Sequence, residues 1–177
     1  DTSRCVCLWI RMANLTAIVG YLFGSVPSQL GMLTASRDYI DLNANQLTGP
    51  TPTELGKLTQ LGQTISLRST SISGTVPTQL GMLTAMTYAM SLYKTRVTST
   101  IPTELRRLNV ANLKLNNNEL FGAVPSEIGR MSKLDLLHLQ NNSYLCGDIP
   151  DQVATLSSSK TEFAESENWN IDTGNAL

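Results

Sequence analysis

His138 is the only histidine in the 177-residue chain, so it is the first place to look for catalysis. As a general base it would need an orienting carboxylate and a nucleophile within hydrogen-bond reach. The acids are scattered, and no His, Cys and carboxylate grouping has zinc-ligand spacing. Cys5-Val-Cys7 alone is too weak a signal for a metal site, and with Cys146 the cysteine count is odd. Two sequons, Asn14-Leu-Thr16 and Asn141-Asn-Ser143, mark Asn14 and Asn141 as N-glycan acceptors if the chain passes through the secretory pathway. Thirteen basic residues against fourteen acidic ones leave a net charge of −1. That balance does not draw the chain to nucleic acid or to an anionic membrane. No apolar run reaches the roughly 18 residues of a membrane span. Asp1 is not followed by a charged and then apolar leader, so any secretion signal was removed or lies outside this sequence. These residues point to surface chemistry, with no catalytic centre, cofactor or metal expected.

What positions the polar residues is a recurring proline. Pro27, Pro52, Pro77, Pro102, Pro125 and Pro150 fall 25, 25, 25, 23 and 25 residues apart, and of seven prolines only Pro50 stands outside the series. A period near 25 held through six copies specifies a solenoid. Each copy opens with an apolar-x-apolar triplet: Leu15-Thr-Ala17, Ile40-Asp-Leu42, Ile65-Ser-Leu67, Met90-Ser-Leu92, Leu113-Lys-Leu115 and Leu137-His-Leu139. Alternation with period two turns the apolar pair inward and the residue between them outward. Three residues after the second apolar position stands Gly20, Asn45, Thr70, Thr95, Asn118 or Asn142. An inward Asn there can bond backbone groups of adjacent coils; threonine does so only partly and glycine not at all. After each proline, Pro-x-x-Leu-Gly-x-Leu predicts one helical or 3₁₀ turn, with proline setting φ and the glycine permitting a left-handed exit.

The outward positions then form columns. One is Thr16, Asp41, Ser66, Ser91, Lys114 and His138; the next is Ile18, Asn43, Arg68, Tyr93, Asn116 and Gln140; a third is Val19, Ala44, Ser69, Lys94, Asn117 and Asn141. Tyr93 and Arg68 sit near the centre, and residues of these types commonly anchor interfaces. His138 has Lys114 as its column neighbour, while Asp41 is four coils away, about 20 Å at 4.8 Å per coil, too far for a catalytic pair. Cys146 is likewise some 24 Å from Cys5 and Cys7, beyond the roughly 7 Å Cα separation a disulfide allows.

The run Asn118-Glu-Leu120-Phe-Gly122-Ala-Val-Pro125-Ser-Glu-Ile-Gly129, like Asn45-Gln-Leu47-Thr-Gly49, resembles the plant-type leucine-rich repeat. The resemblance spans residues 15–153. It implies an α/β solenoid: a right-handed superhelix of about six coils of 23–25 residues, with a parallel sheet on the concave face, short helical turns on the convex side and a minor sheet beside the main one. Residues 1–14 are then an N-terminal cap remnant and 154–177 a polar C-terminal segment or cap. Repeats two to four depart from the pattern by one extra residue before the strand, repeat four has Ser99 in place of glycine, and repeat six is extended at Asn142-Ser-Tyr-Leu145. In this family Asn-x-x-Leu-Cys-Gly often opens a C-terminal cap, and Asn142 to Gly147 looks like such a start, yet no second cysteine follows.

The resemblance implies a non-enzymatic, extracellular or cell-surface module that binds a protein, peptide or glycan through Asp41, Asn43, Ser66, Arg68, Ser91, Tyr93, Lys94, Lys114, Asn116, His138 and Gln140. The alternative is a structural subunit built permanently into an extracellular or membrane-associated assembly, which would not stay monomeric when expressed alone. Threonines at 51, 53, 78, 84 and 103 raise an ice-binding function, against which the irregular, partly charged columns count.

Overall fold

A computed structural model describes residues 20 and 22–156, together with the strand backbone at 161–162 and 171–172; the cysteines at 5 and 7, the sequon at Asn14 and the columns' first residues (Thr16, Ile18 and Val19) lie outside these. The apolar-x-apolar triplets give a parallel sheet whose strands run, in spatial order, Tyr39–Asp41, Thr64–Ser66, Ala89–Ser91, Asn112–Lys114, Leu136–His138 and Thr161–Glu162. Register is in phase with the repeat, so Ile40, Ile65, Met90, Leu113 and Leu137 stand side by side. All five are buried, as are Leu42, Leu67, Leu92, Leu115 and Leu139 two residues on. The leucine spine is continuous.

The strands are short, but the ladder outlasts them. The N–H of Leu42 donates to Ser66 O and that of Leu67 to Ser91 O. Two residues later the N–H of Ala44 reaches Arg68 O, Ser69 reaches Tyr93 O, and Lys94 reaches Asn116 O. Ala44, Ser69, Lys94, Asn117 and Asn141 have φ between 51° and 57°. This left-handed conformation is unfavourable for non-glycine residues. It turns the chain while keeping the bond to the next coil, and it sends the following side chain inward. The third outward column is therefore a row of turn residues.

The inward side chains are Asn45, Thr70, Thr95, Asn118 and Asn142, all buried. Asn118 ties two coils together: Oδ1 accepts from Thr95 N at 3.1 Å and Thr95 Oγ1 at 2.6 Å, while Nδ2 donates to Leu92 O at 2.8 Å and Leu115 O at 2.9 Å. Asn142 similarly joins Leu120 N, Leu115 O and Leu139 O. Thr70 Oγ1 donates only within its own coil, to Leu67 O at 2.8 Å. Buried backbone groups of adjacent coils are thus tied together by asparagine and less completely by threonine.

Each proline opens a 3₁₀ turn: Ser28–Met32, Thr53–Lys57, Thr78–Met82, Thr103–Arg107 and Ser126–Arg130, with a short α-helix, Asp151–Ala154, in the sixth place. Proline φ lies between −75° and −59° throughout. The expected left-handed glycine exit is not what forms. Gly31, Gly56, Gly81 and Gly129 are absent from the positive-φ residues, and each is needed for close approach: a Cβ at Gly81 would strike the carbonyl oxygen of Glu104 on the next coil. Repeat four has Arg106 at that position, and the 3₁₀ turn leaves through an extended Leu108 (φ −65°, ψ 145°), where Leu83 has ψ 52°. The two-residue shortening after Pro102 accounts for the straighter path.

The minor sheet runs beside the main one through Phe23–Ser25, Gln46–Pro50, Ser71–Gly74 and Arg96–Val97, then resumes as a separate pair, Phe121–Gly122 with Tyr144–Leu145. Regular strand pairing lapses where Ser99 replaces the glycine, although Glu119 N still donates to Val97 O and Phe121 N to Ser99 O, each at 3.0 Å. Gly49, Gly74 and Gly122 have φ of 75–78°, whereas Ser99 is not among the positive-φ residues and its Oγ instead accepts from Val76 N at 3.2 Å and donates to Thr100 O at 2.8 Å. Two strands of the polar segment join the coils: Thr161–Glu162 pairs with Leu137–His138, and Ile171–Asp172 with Gly147–Asp148.

Candidate functional site: the concave face

The main sheet exposes its outward positions as the period-two pattern requires. Asp41, Ser66, Ser91, Lys114 and His138 follow one another in register, one per coil. Beside them, Arg68 and Lys94 are exposed, while Asp41, Asn43, Tyr93, Lys114, His138 and Gln140 are half-buried. Ser66, Ser91 and Asn116 depart from the expectation of an open polar strip: they are only 5%, 6% and 7% exposed. On the inner curve of a sheet, side chains of neighbouring strands converge, so a short side chain becomes a floor between taller ones. Ser66 Oγ, Ser91 Oγ and Asn116 Oδ1 are buried with no hydrogen-bond partner.

A further outward column escapes a reading that starts at the first apolar residue of each triplet. Tyr39, Thr64, Ala89, Asn112 and Leu136 are also in register, one residue upstream of the inward set. Extending the alternation by one position would have found it. It adds apolar surface through Tyr39 and Leu136, both half-buried, and Tyr88, 63% exposed, precedes Ala89 at the rim.

Charge is uneven across the face. From the coil of Asp41 to that of His138 the cations of these columns are Arg68, Lys94 and Lys114, all in the middle coils, against one carboxylate, Asp41, at the end. Asp41 Oδ1 accepts from Asn43 N at 3.1 Å, which holds it within its own turn. His138 Nδ1 lies 3.5 Å from Gln140 Nε2, and the register partners of His138 are Lys114 and Glu162. Among the described residues no group of three His, Cys, Asp or Glu side chains could hold a metal ion. At the far end Asn141 is half-buried, its Nδ2 donating to Asn117 Oδ1 at 3.1 Å. Cys146 is a free, exposed thiol.

The flank of the prolines is different in kind. Thr53, Thr78 and Thr103 are exposed at identical points of successive coils and, with Thr75, Thr100 and Glu104, line a shallow groove. Their hydroxyls turn to the next side chain, Thr53 to Glu54, Thr78 to Gln79 and Thr103 to Glu104, at 3.3–3.4 Å. In the end coils the same position is Ser28 and Ser126, while Phe23 and Phe121, 45% and 47% exposed, stand on the minor sheet. Thr51 and Thr84 do not extend the array: Thr51 is buried at a position that is Val or Ile in other coils, and Thr84 stands after the 3₁₀ turn.

The coils superpose on solved plant proteins. The plant peptide hormone receptor RGFR1, in complex with RGF2, is similar over 84% of this chain and 23% of its own, at 30% identity and a TM-score of 0.70. A plant ice-binding protein is similar over 79% of this chain and 46% of its own, at 30% identity and a TM-score of 0.70. The Arabidopsis receptor kinase HAESA, in complex with the peptide hormone IDA and the co-receptor SERK1, is similar over 73% of this chain and 21% of its own, at 35% identity and a TM-score of 0.67. The chain therefore spans less than half the length of each. No protein-family model matches the sequence, and neither does any curated relative.

Proposed function

The chain is a plant-type leucine-rich repeat protein, and from that premise we propose that it is an extracytoplasmic recognition module whose concave face binds a peptide or protein segment. The observation that carries this is the contrast between an interior that repeats a small set of residue types and a concave face that varies in charge and size from Asp41 to His138, with Tyr93 and Arg68 near its centre. A solenoid offers an extended inner surface of this kind, and large aromatic and arginine side chains supply its anchors. RGFR1 and HAESA, which share the fold, are described in complex with a peptide. No helix among the described residues is long and apolar enough to cross a membrane. The test is affinity capture from the native source, with partners identified by mass spectrometry. Tyr93→Ala combined with Arg68→Ala loses the partner that the unaltered protein retains; equal recovery by both overturns the assignment. N-glycans at Asn14 and Asn141 belong to the same proposal, and glycosidase treatment of the native protein would reveal them as a mass loss.

The flank supports a second function. Thr53, Thr78 and Thr103 repeat at the coil spacing, about 4.8 Å, as hydroxyls that order water in a lattice must, and one similar structure is a plant ice-binding protein. Their bonds to neighbouring side chains and the array's limit of three coils weaken it. Inhibition of ice recrystallisation that disappears in Thr78→Lys would favour the flank; ice growth unaffected by the protein excludes it.

A further inference from the structure

We propose that the centre of the concave face is a carboxylate seat, made by Ser66, Ser91 and Lys114, that selects an Asp or Glu side chain of the bound peptide. The inference rests on the recognition function proposed above and specifies what is recognised. Ser66 and Ser91 are register neighbours on adjacent strands, and Lys114 is the next residue in the same column. Both serine hydroxyls are more than nine-tenths buried yet bond to nothing within the molecule. A buried hydroxyl without a partner is destabilising, so two of them on neighbouring strands, where Thr51 Oγ1 stands singly on the flank, mark a position that a ligand completes. Each hydroxyl can donate, and the Lys114 ammonium can only donate. A group that accepts from all three and carries negative charge is a carboxylate, for which charge-assisted bonds are the strongest available.

Two neighbouring features agree with this. Arg68 and Lys94 place two more cations in the same middle coils, whereas the acidic residues of the column, Asp41 and Glu162, stand in the coils towards its two ends. The buried Oδ1 of Asn116, two residues after Lys114 in the sequence, is the opposite kind of group, an acceptor without a donor. A peptide offers the missing donor in a backbone N–H next to its acidic side chain. A carboxylate-bearing glycan shares the negative charge, and the test separates it.

A phage library of random peptides selected on the intact protein supplies the probe, with oligogalacturonate titrated in parallel. Selected peptides are expected to hold Asp or Glu at one fixed position, and replacing that residue by Asn or Gln weakens binding on the order of 10- to 100-fold, as loss of a charge-assisted hydrogen bond does. Ser66→Ala with Ser91→Ala, and separately Lys114→Gln, should weaken the acidic peptide by a similar factor and leave its Asn or Gln counterpart unaffected. The serine variants should also raise the melting temperature, since each removes a buried unpaired hydroxyl; that readout shows the fold intact. Selected peptides without a fixed acid, or with an acid whose contribution survives both variants, overturn the seat while leaving concave-face recognition standing. If no peptide is selected, the recognition function fails with it; if oligogalacturonate alone binds through these residues, the peptide assignment is wrong.

Discussion

Two positions only one turn apart in each coil obey opposite rules. From the second coil on, the inward turn position is Asn45, Thr70, Thr95, Asn118 and Asn142, each a hydrogen-bonding side chain and each buried, where the first coil has an exposed Gly20. The outward position four residues earlier is Asp41, Ser66, Ser91, Lys114 and His138, which varies in charge and size across the coils, with Ser66 and Ser91 its one repeated pair. The outward position lies in the strand and the inward one in the turn that follows it. The inward side chain meets the chain's own backbone, which repeats from coil to coil; under the recognition function proposed above, the outward one meets the partner. Repetition inside then serves structure, and variation on the face serves recognition.

The largest effect should come from breaking the repeated position. Asn118→Ala removes bonds to two coils and leaves Thr95 N and Leu92 O without their side-chain partners, so about 3 kcal/mol of stability should be lost, measured by urea unfolding. At the irregular position the expectation is reversed. Arg68→Glu is exposed and should alter stability by no more than about 0.5 kcal/mol, yet lower affinity for the captured partner at least tenfold. A smaller gain sharpens the contrast: Thr70→Asn supplies the inter-coil bonds that Asn45 and Asn142 make, and should stabilise by about 1 kcal/mol. Thr51→Val removes a buried hydroxyl that bonds to nothing, and should add up to about 1 kcal/mol, visible as a rise in melting temperature with partner affinity unchanged.

Much of this architecture is written locally. The prolines announce the 3₁₀ turns, and the apolar triplets announce the strands and their register, because both depend on one residue's own geometry and on period. The inward asparagines were legible for the same reason. What depends on a neighbouring coil was not. Burial of Ser66, Ser91 and Asn116 arises from side chains one strand away, so single-strand alternation shows them outward without showing them covered. Gly81 and its equivalents carry the same glycine whether the need is left-handed φ or close approach, and only the adjacent carbonyl of Glu104 decides between them. The left-handed turn residues were hidden because Ala44, Ser69 and Lys94 give no local hint of positive φ, unlike Asn117 and Asn141. The column through Tyr39 and Leu136 was missed since apolar residues at an outward position resemble core.

The central claim is that a partner lies against the inner sheet and not against the proline flank. A photoreactive side chain introduced by Tyr93→p-benzoylphenylalanine, and in a separate protein by Thr78→p-benzoylphenylalanine, tests this directly. Crosslinks to the captured partner from position 93, with position 78 silent, are the predicted result. Crosslinks from position 78 with position 93 silent would contradict it.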